Sequence, residues 1–344
     1  MNSPANWQME LAQAFKDSSS LSQFLDWPVA ELPQYPLLVP KELAQMIKTQ
    51  GSKGVLARQF LSHPDELSEL GVLDPIGDVA HQKTAQLIHR YHNRALLIPT
   101  TRCPVNCRYC FRKNELQDDI FTNDRERTLQ YLLEHTEIEE VIFTGGDPLI
   151  LSDEKLAGWL ESLAQIPHIR YVRFHSRVPV ILPSRLSGEL HTLLTSFQAR
   201  FEIVMVVHTN HSSEWSEQAL AALARFSSFT WLSQSVLLKG VNDSAEELIE
   251  LFRFLSQHKI RPYYLHHPDQ TRGAMHFGLS LETGRRIWAS LHHRLPGWML
   301  PQYVVDLPLG PGKVQAFNPE NFEFSGSLID RLGHPQPVPT TYLL

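Results

Sequence analysis

The 344-residue chain reads as an α/β protein: a partial (βα)6, TIM-like barrel with a helical amino-terminal region before it and a carboxy-terminal covering segment after it. Three observations carry this reading. Six short β-branched or aromatic runs recur along the chain, stretches with apolar positions three and four apart separate them, and too few residues remain for two further units.

Residues 1–88 hold short helical patterns broken by prolines at 28, 33, 36, 40, 64 and 75, with no clear strand, so this region is expected to be helical. Residues 89–300 form the barrel. Its strands are expected at Ala95 to Ile98, Val141 to Thr144, Tyr171 to His175, Glu202 to Val207, Trp231 to Val236 and Pro262 to Leu265. The helices are expected at 125–135, 153–165, 185–197, 213–226, 244–258 and 280–293. Residues 301–344 are rich in Pro and Gly, with apolar runs at Tyr303 to Val305 and Val314 to Phe317, and should cover one end of the barrel.

Composition narrows the class of function. With 42% hydrophobic and 20% charged residues the chain can build a sizeable core, which excludes a disordered or fibrous protein. A net charge of -6 gives no general attraction to nucleic acid or to an anionic membrane, so neither is expected as a partner. Apolar runs such as Ile203 to Val207 are far too short to span a bilayer. The start of the chain lacks the basic and apolar stretches of a secretory signal, and the three cysteines crowd between 103 and 110 instead of forming a disulfide framework. A cytoplasmic enzyme of small-molecule chemistry is the expectation.

In barrels of this kind the functional residues lie on the loops that follow the strands. The cysteines follow the first strand, Thr144-Gly145-Gly146-Asp147-Pro148 ends the second, His208 to His211 ends the fourth, and His266 to Asp269 ends the sixth. All should therefore fall on one face. Cys103-x-x-x-Cys107-x-x-Cys110 offers three soft thiolates in one tight loop, enough to hold three irons of a cubane and leave the fourth open. A structural zinc site completed by a histidine is the alternative, although no second cysteine pair is present. At Gly145-Gly146-Asp147 the residues alone leave two readings even: backbone brought close to a ligand with Asp147 accepting from an ammonium, or a tight turn with Asp147 capping the next helix. Lys313 could be an ordinary surface lysine, and Arg90 with Arg94 an exposed basic pair.

Several blocks in order add to this. Cys107-Arg108-Tyr109-Cys110-Phe111-Arg112, Phe143 to Pro148, Arg177-Val178-Pro179-Val180, Gln234 to Leu238, Arg261-Pro262-Tyr263-Tyr264 and Asp306 to Lys313 together resemble the lysine 2,3-aminomutase family of radical S-adenosylmethionine enzymes, from Arg90 to Phe317. The compact form, with its helical amino terminus, is similar to bacterial members that make (R)-β-lysine for modification of translation elongation factor P.

This resemblance implies a [4Fe–4S] cluster on Cys103, Cys107 and Cys110 that presents S-adenosylmethionine with its open iron. It implies that Gly145, Gly146 and Asp147 bind the methionine amino group, with His208 and Gln234 near the same cofactor. Lys313 would carry pyridoxal 5′-phosphate, although Leu309 and Pro311 interrupt the family's four-glycine loop, and Arg90 and Arg94 would hold its phosphate. Arg112 would pair with the substrate carboxylate, and Asp269 and Asp306 with the ε-ammonium of L-lysine. The implied reaction is a radical 1,2-amino migration, an isomerisation, with arginine as the alternative substrate. Implied partners are an electron donor such as flavodoxin or ferredoxin, and the enzyme that ligates β-lysine to the elongation factor. The chain ends at Leu344, short of the further zinc-binding segment of the clostridial type, so zinc is not expected there.

Overall fold

The computed structural model describes residues 6–115, 124–307, 312–317, 327–329, 334–338 and 342. Four short helices open the chain: α1 (Asn6–Ala12), α2 (Ser18–Leu25), α3 (Lys41–Gln50) and α4 (Val55–Phe60). Asp17 starts α2 by accepting from the Ser20 amide, and Gly51 ends α3 at φ +85°. The buried faces of these helices, with Leu21, Leu43, Ile47 and Phe60, join the main core.

Strands β1 (Gln82–Thr84) and β2 (Leu87–Tyr91) form an antiparallel ribbon with β3 (Arg94–Thr100). This corrects the strand-free reading of residues 1–88, whose boundary falls inside β2. The physical reason is that β2 carries His89, Arg90 and Tyr91 and lacks an apolar alternation; pairing with β3 makes it a strand.

From β3 onward the sheet is parallel through β4 (Glu140–Gly145), β5 (Tyr171–Ser176), β6 (Glu202–His208), β7 (Thr230–Val236), β8 (Arg261–His266) and β9 (Gln302–Asp306). The connections carry α5 (Arg125–Glu134), α6 (Asp153–Ala164), the single turn α7 (Val178–Ile181), α8 (Gly188–Ser196), α9 (Glu217–Arg225), α10 (Ala245–Gln257) and α11 (Leu281–Leu291). Serines 152, 187, 216, 244 and 280 cap α6, α8, α9, α10 and α11, each accepting a backbone N–H of the first turn. The caps at Ser187 and Ser216 explain why two helices begin three or four residues later than their apolar pattern suggests.

A second correction concerns the carboxy-terminal segment. Its first strand, β9, pairs in parallel with β8 and buries Tyr303 to Asp306, so it is a seventh strand of the barrel sheet and not a cover. The run is only three apolar residues long, and its burial of Asp306 is possible because a lysine compensates the charge. Strands β10 (Lys313–Gln315), β11 (Leu328–Ile329) and β12 (Pro335–Gln336) continue antiparallel from it. The two sides of the opening meet where the Lys313 amide donates to Tyr91 Oη at 2.8 Å. Among the described residues no helix is long and apolar enough to cross a membrane.

Candidate active site

The cysteine loop leaves the carboxyl end of β3 and is held from below by the amino-terminal region. Arg108, buried between Cys107 and Cys110, donates to both oxygens of Glu66 and to the Tyr35 and Pro36 carbonyls. Lys113 reaches Glu66 at 2.9 Å and the carbonyls of Arg108 and Gly273. Burial would raise the Glu66 carboxyl, but these two cations outweigh it and hold it below its ordinary value.

All three cysteines are free and half-buried on the wall of one 780 Å³ cavity. Burial pushes each thiol up, Cys110 to about 12, so a bound metal is what would make them thiolates. Among the described residues no histidine lines this cavity, so a zinc ion would lack its expected fourth ligand there. Three soft donors without a fourth fit an iron–sulfur cluster with an open iron.

On the side where a Cβ would stand, the glycines at the end of β4 meet protein. A Cβ on Gly146 would stand 2.1 Å from the Arg102 carbonyl oxygen, and one on Gly145, at φ +104°, 2.3 Å from the Ile98 side chain. Their bareness lets this turn dock on the cysteine loop, with Gly146 donating to the Thr100 carbonyl and Asp147 to that of Arg102. The Asp147 carboxylate accepts from the amides of Leu149, Arg177 and Val178 and from the Ser176 hydroxyl. The capping alternative describes the contacts Asp147 makes here, with internal donors on both oxygens. His208 Nε2 lies 2.9 Å from Tyr109 Oη, which ties β6 to the cysteine loop, and burial with the nearby Arg177 holds its pKa well down. Gln234 is its register partner on β7.

A separate lumen of 80 Å³ runs inside the sheet, lined among others by Arg90, Arg94, Arg173, His175, Asp306 and Lys313. Arg90 Nε, Arg173 Nε and His175 Nε2 are buried without a hydrogen-bond partner. Orphaned cationic and imidazole donors around a small cavity fit a phosphate dianion. Lys313 opens β10 directly across from Asp306, and its Nζ sits 2.9 Å from both carboxylate oxygens. Gly312, at φ +99°, sets this turn against Tyr91. Burial would raise Asp306, but Lys313 and the His266 Nδ1 contact at 3.4 Å hold it below the carboxylate range. Burial would likewise lower Lys313, but Asp306 more than reverses this. Asp269, half-buried beside this pair, is pushed well up by burial and by the Asp306 charge.

Arg112 is not an open clamp. Its Nη2 donates to Asp78 and its Nη1 to Glu115 at 2.9 Å, deep in the protein. Two internal carboxylates hold the guanidinium that the resemblance assigns to substrate. Asp78 also takes Arg90 at 3.0 Å and so links the two arginines. It lies in a segment without periodicity, and nothing in the sequence marks it. Arg173 and His175 were also missed, yet they stand two apart on an expected strand and so share the inward face, a signal that was available.

Residues 97–254 match the family model described as the Radical SAM superfamily, which implies an iron–sulfur cluster and S-adenosylmethionine. The chain is 35% identical over 321 residues to the "L-lysine 2,3-aminomutase" of Haemophilus influenzae, covering 90% of this chain and 94% of that protein. It is 34% identical over 330 residues to the protein of the same name from Escherichia coli K12, covering 91% and 95%. With the Clostridium subterminale "L-lysine 2,3-aminomutase" the identity is 34% over 245 residues, which is 70% of this chain and 58% of that longer protein. Near full-length similarity of this kind, on a barrel that places three cysteines at one strand end, shows that the chain belongs to the lysine 2,3-aminomutase family of the radical S-adenosylmethionine superfamily.

Proposed function

We propose that this chain converts L-α-lysine to (R)-β-lysine, using a [4Fe–4S] cluster on Cys103, Cys107 and Cys110, S-adenosylmethionine, and pyridoxal 5′-phosphate on Lys313. The carrying observation is the contact between Lys313 and Asp306 with Asp269 beside it, at the mouth of an arginine-lined lumen. When bound, these groups supply a carbon radical that can remove an unactivated hydrogen and a conjugated ring across which an amine can move.

The protein's own residues bind, orient and neutralise. Arg90 and Arg94, joined by Arg173, would hold the phosphate. Asp306, 2.9 Å away, holds the Lys313 amine as an ammonium, so this contact must open and the proton must leave before the amine can attack a carbonyl. Asp306 and Asp269, brought together at this site, would offer two carboxylates to a substrate ammonium. Two neighbouring carboxylates then favour an ammonium strongly, which selects lysine over an acidic or apolar amino acid. For Arg112 to hold the substrate carboxylate, it must release Glu115 or Asp78. By resemblance, His208, Gln234 and the backbone at Gly145 and Gly146 would adjoin S-adenosylmethionine.

The product would serve the enzyme that modifies elongation factor P, and a flavodoxin or ferredoxin would supply electrons. The test is anaerobic incubation with reductant, S-adenosylmethionine, pyridoxal phosphate and L-lysine, followed by chromatography. β-Lysine from the parent, and none from Cys107→Ala with its iron lost, is expected. Formation of β-arginine from arginine with lysine untouched would overturn the substrate assignment.

A further inference from the structure

We propose that His89, His135 and Glu137 form a divalent transition-metal site of the zinc class on the outer side of the barrel, apart from the cysteine loop and the lumen. One ring nitrogen of each histidine and one carboxylate oxygen lie within 4.8 Å of one another. The three residues come from different elements: His89 from β2, His135 from the carboxyl cap of α5, and Glu137 from the turn before β4.

Strand alternation separates this cluster from the lumen. Arg90 lines the lumen, so its neighbour His89 points to the opposite face, where its Nδ1 meets Tyr131 Oη at 3.0 Å. The other nitrogen, Nε2, lies 3.3 Å from the His92 carbonyl. A proton on Nε2 donated to that carbonyl, the orienting arrangement that ligating histidines use, leaves Nδ1 accepting from the Tyr131 hydroxyl, a lone pair that a metal would take by displacing that contact. His135 Nδ1 is 2.8 Å from Glu137 Oε1, and the His135 ring stacks on Tyr131 with centroids 3.9 Å apart. Tyr131 and His135 stand four apart at the end of α5 and so share one face.

Two imidazoles and one carboxylate suit zinc and its neighbours; calcium and magnesium want more oxygens, and copper(I) wants sulfur. Metal bonds of about 2.0 to 2.2 Å bring tetrahedral ligand atoms to roughly 3.3 Å apart, so no pair of ligand atoms has to close by more than about 1.5 Å. His135 and Glu137, with side chains 36% and 31% exposed, have room for this. Water or the Tyr131 oxygen completes the shell. The ion would clamp α5 to β2, the strand whose inner face presents Arg90.

The test is calorimetric titration of zinc into the enzyme already loaded with its cluster, so that the cysteines are occupied, followed by metal analysis. Protein with alkylated cysteines provides an arm that does not depend on the cluster. One equivalent of zinc beyond the cluster is expected, with a raised thermal midpoint. His89→Ala and His135→Ala should each weaken binding by about tenfold to a hundredfold or more. Glu137→Gln, an isosteric change at a half-exposed position, should also weaken it. No uptake by the parent, or equal uptake by Glu137→Gln and by the folded His89→Ala/His135→Ala variant, would overturn the proposal. No readout uses turnover, so the outcome is separate from the aminomutase reading.

Discussion

Asp269 and Lys313 show what single residues cost and contribute here. Burial and the Asp306 charge push Asp269 well above the carboxylate range, so the folded protein binds a proton there that the unfolded chain gives up near pH 4. Stability therefore falls as pH rises from about 4 through the raised folded pKa. Asp269→Asn removes that burden: at pH 7 its thermal midpoint should be at or above the parent's. Activity on lysine should nonetheless fall by roughly two to three orders of magnitude, because losing one partner of a buried charge pair costs about 3 to 5 kcal/mol. Parent-like turnover would remove Asp269 from substrate recognition. The second residue prediction concerns Lys313, whose pKa Asp306 holds up. In protein free of pyridoxal phosphate, the rate of Lys313 labelling by pyridoxal phosphate and borohydride should rise with pH. In Asp306→Asn the midpoint of that profile should move to lower pH, since the group raising it is gone. An unmoved midpoint would show that the 2.9 Å contact does not govern the lysine.

At the scale of elements, two turns decide where the chemistry sits. The turn after β4 docks on the cysteine loop through Gly145 and Gly146, and the β9–β10 hairpin sets Lys313 opposite Asp306. Gly146→Ala would place a methyl group 2.1 Å from the Arg102 carbonyl oxygen, a contact that only backbone movement can relieve. We expect a loss of about 1 to 3 kcal/mol in stability. Iron content should fall with it, since the displaced segment adjoins Cys103. Full iron loading in a destabilised Gly146→Ala protein would mean that the cysteine loop keeps its shape without this contact. Asp147 belongs to the same account: four donors converge on its carboxylate, so its part is to fix the ends of β4 and β5 relative to each other.

Across the whole molecule, the helical region before the barrel acts as a buttress. Glu66 receives Arg108 and Lys113 from the cysteine loop, and Gln59 bonds Arg177 after β5 and both Asn210 and Glu214 after β6. Glu66→Gln should leave two buried cations undercompensated, at about 3 to 5 kcal/mol, and lower both the thermal midpoint and the cluster occupancy. Unchanged occupancy, measured by iron analysis, would make the buttress irrelevant to the cluster. Much of this molecule was legible in one dimension. The six expected strands lie within the observed ones, and the cysteine spacing and the Asp306–Lys313 interval are visible as written, because each depends on neighbours a few residues away. Tertiary structure alone decided that β2 and β9 are strands, that Arg112 is held by Asp78 and Glu115, and that Asp306 is charged while Asp269 is driven toward its neutral form. Those outcomes depend on burial and on charges brought together from 34 to over 200 residues apart, as the Asp78–Arg112 and Tyr91–Lys313 contacts show, and no local pattern contains that sum.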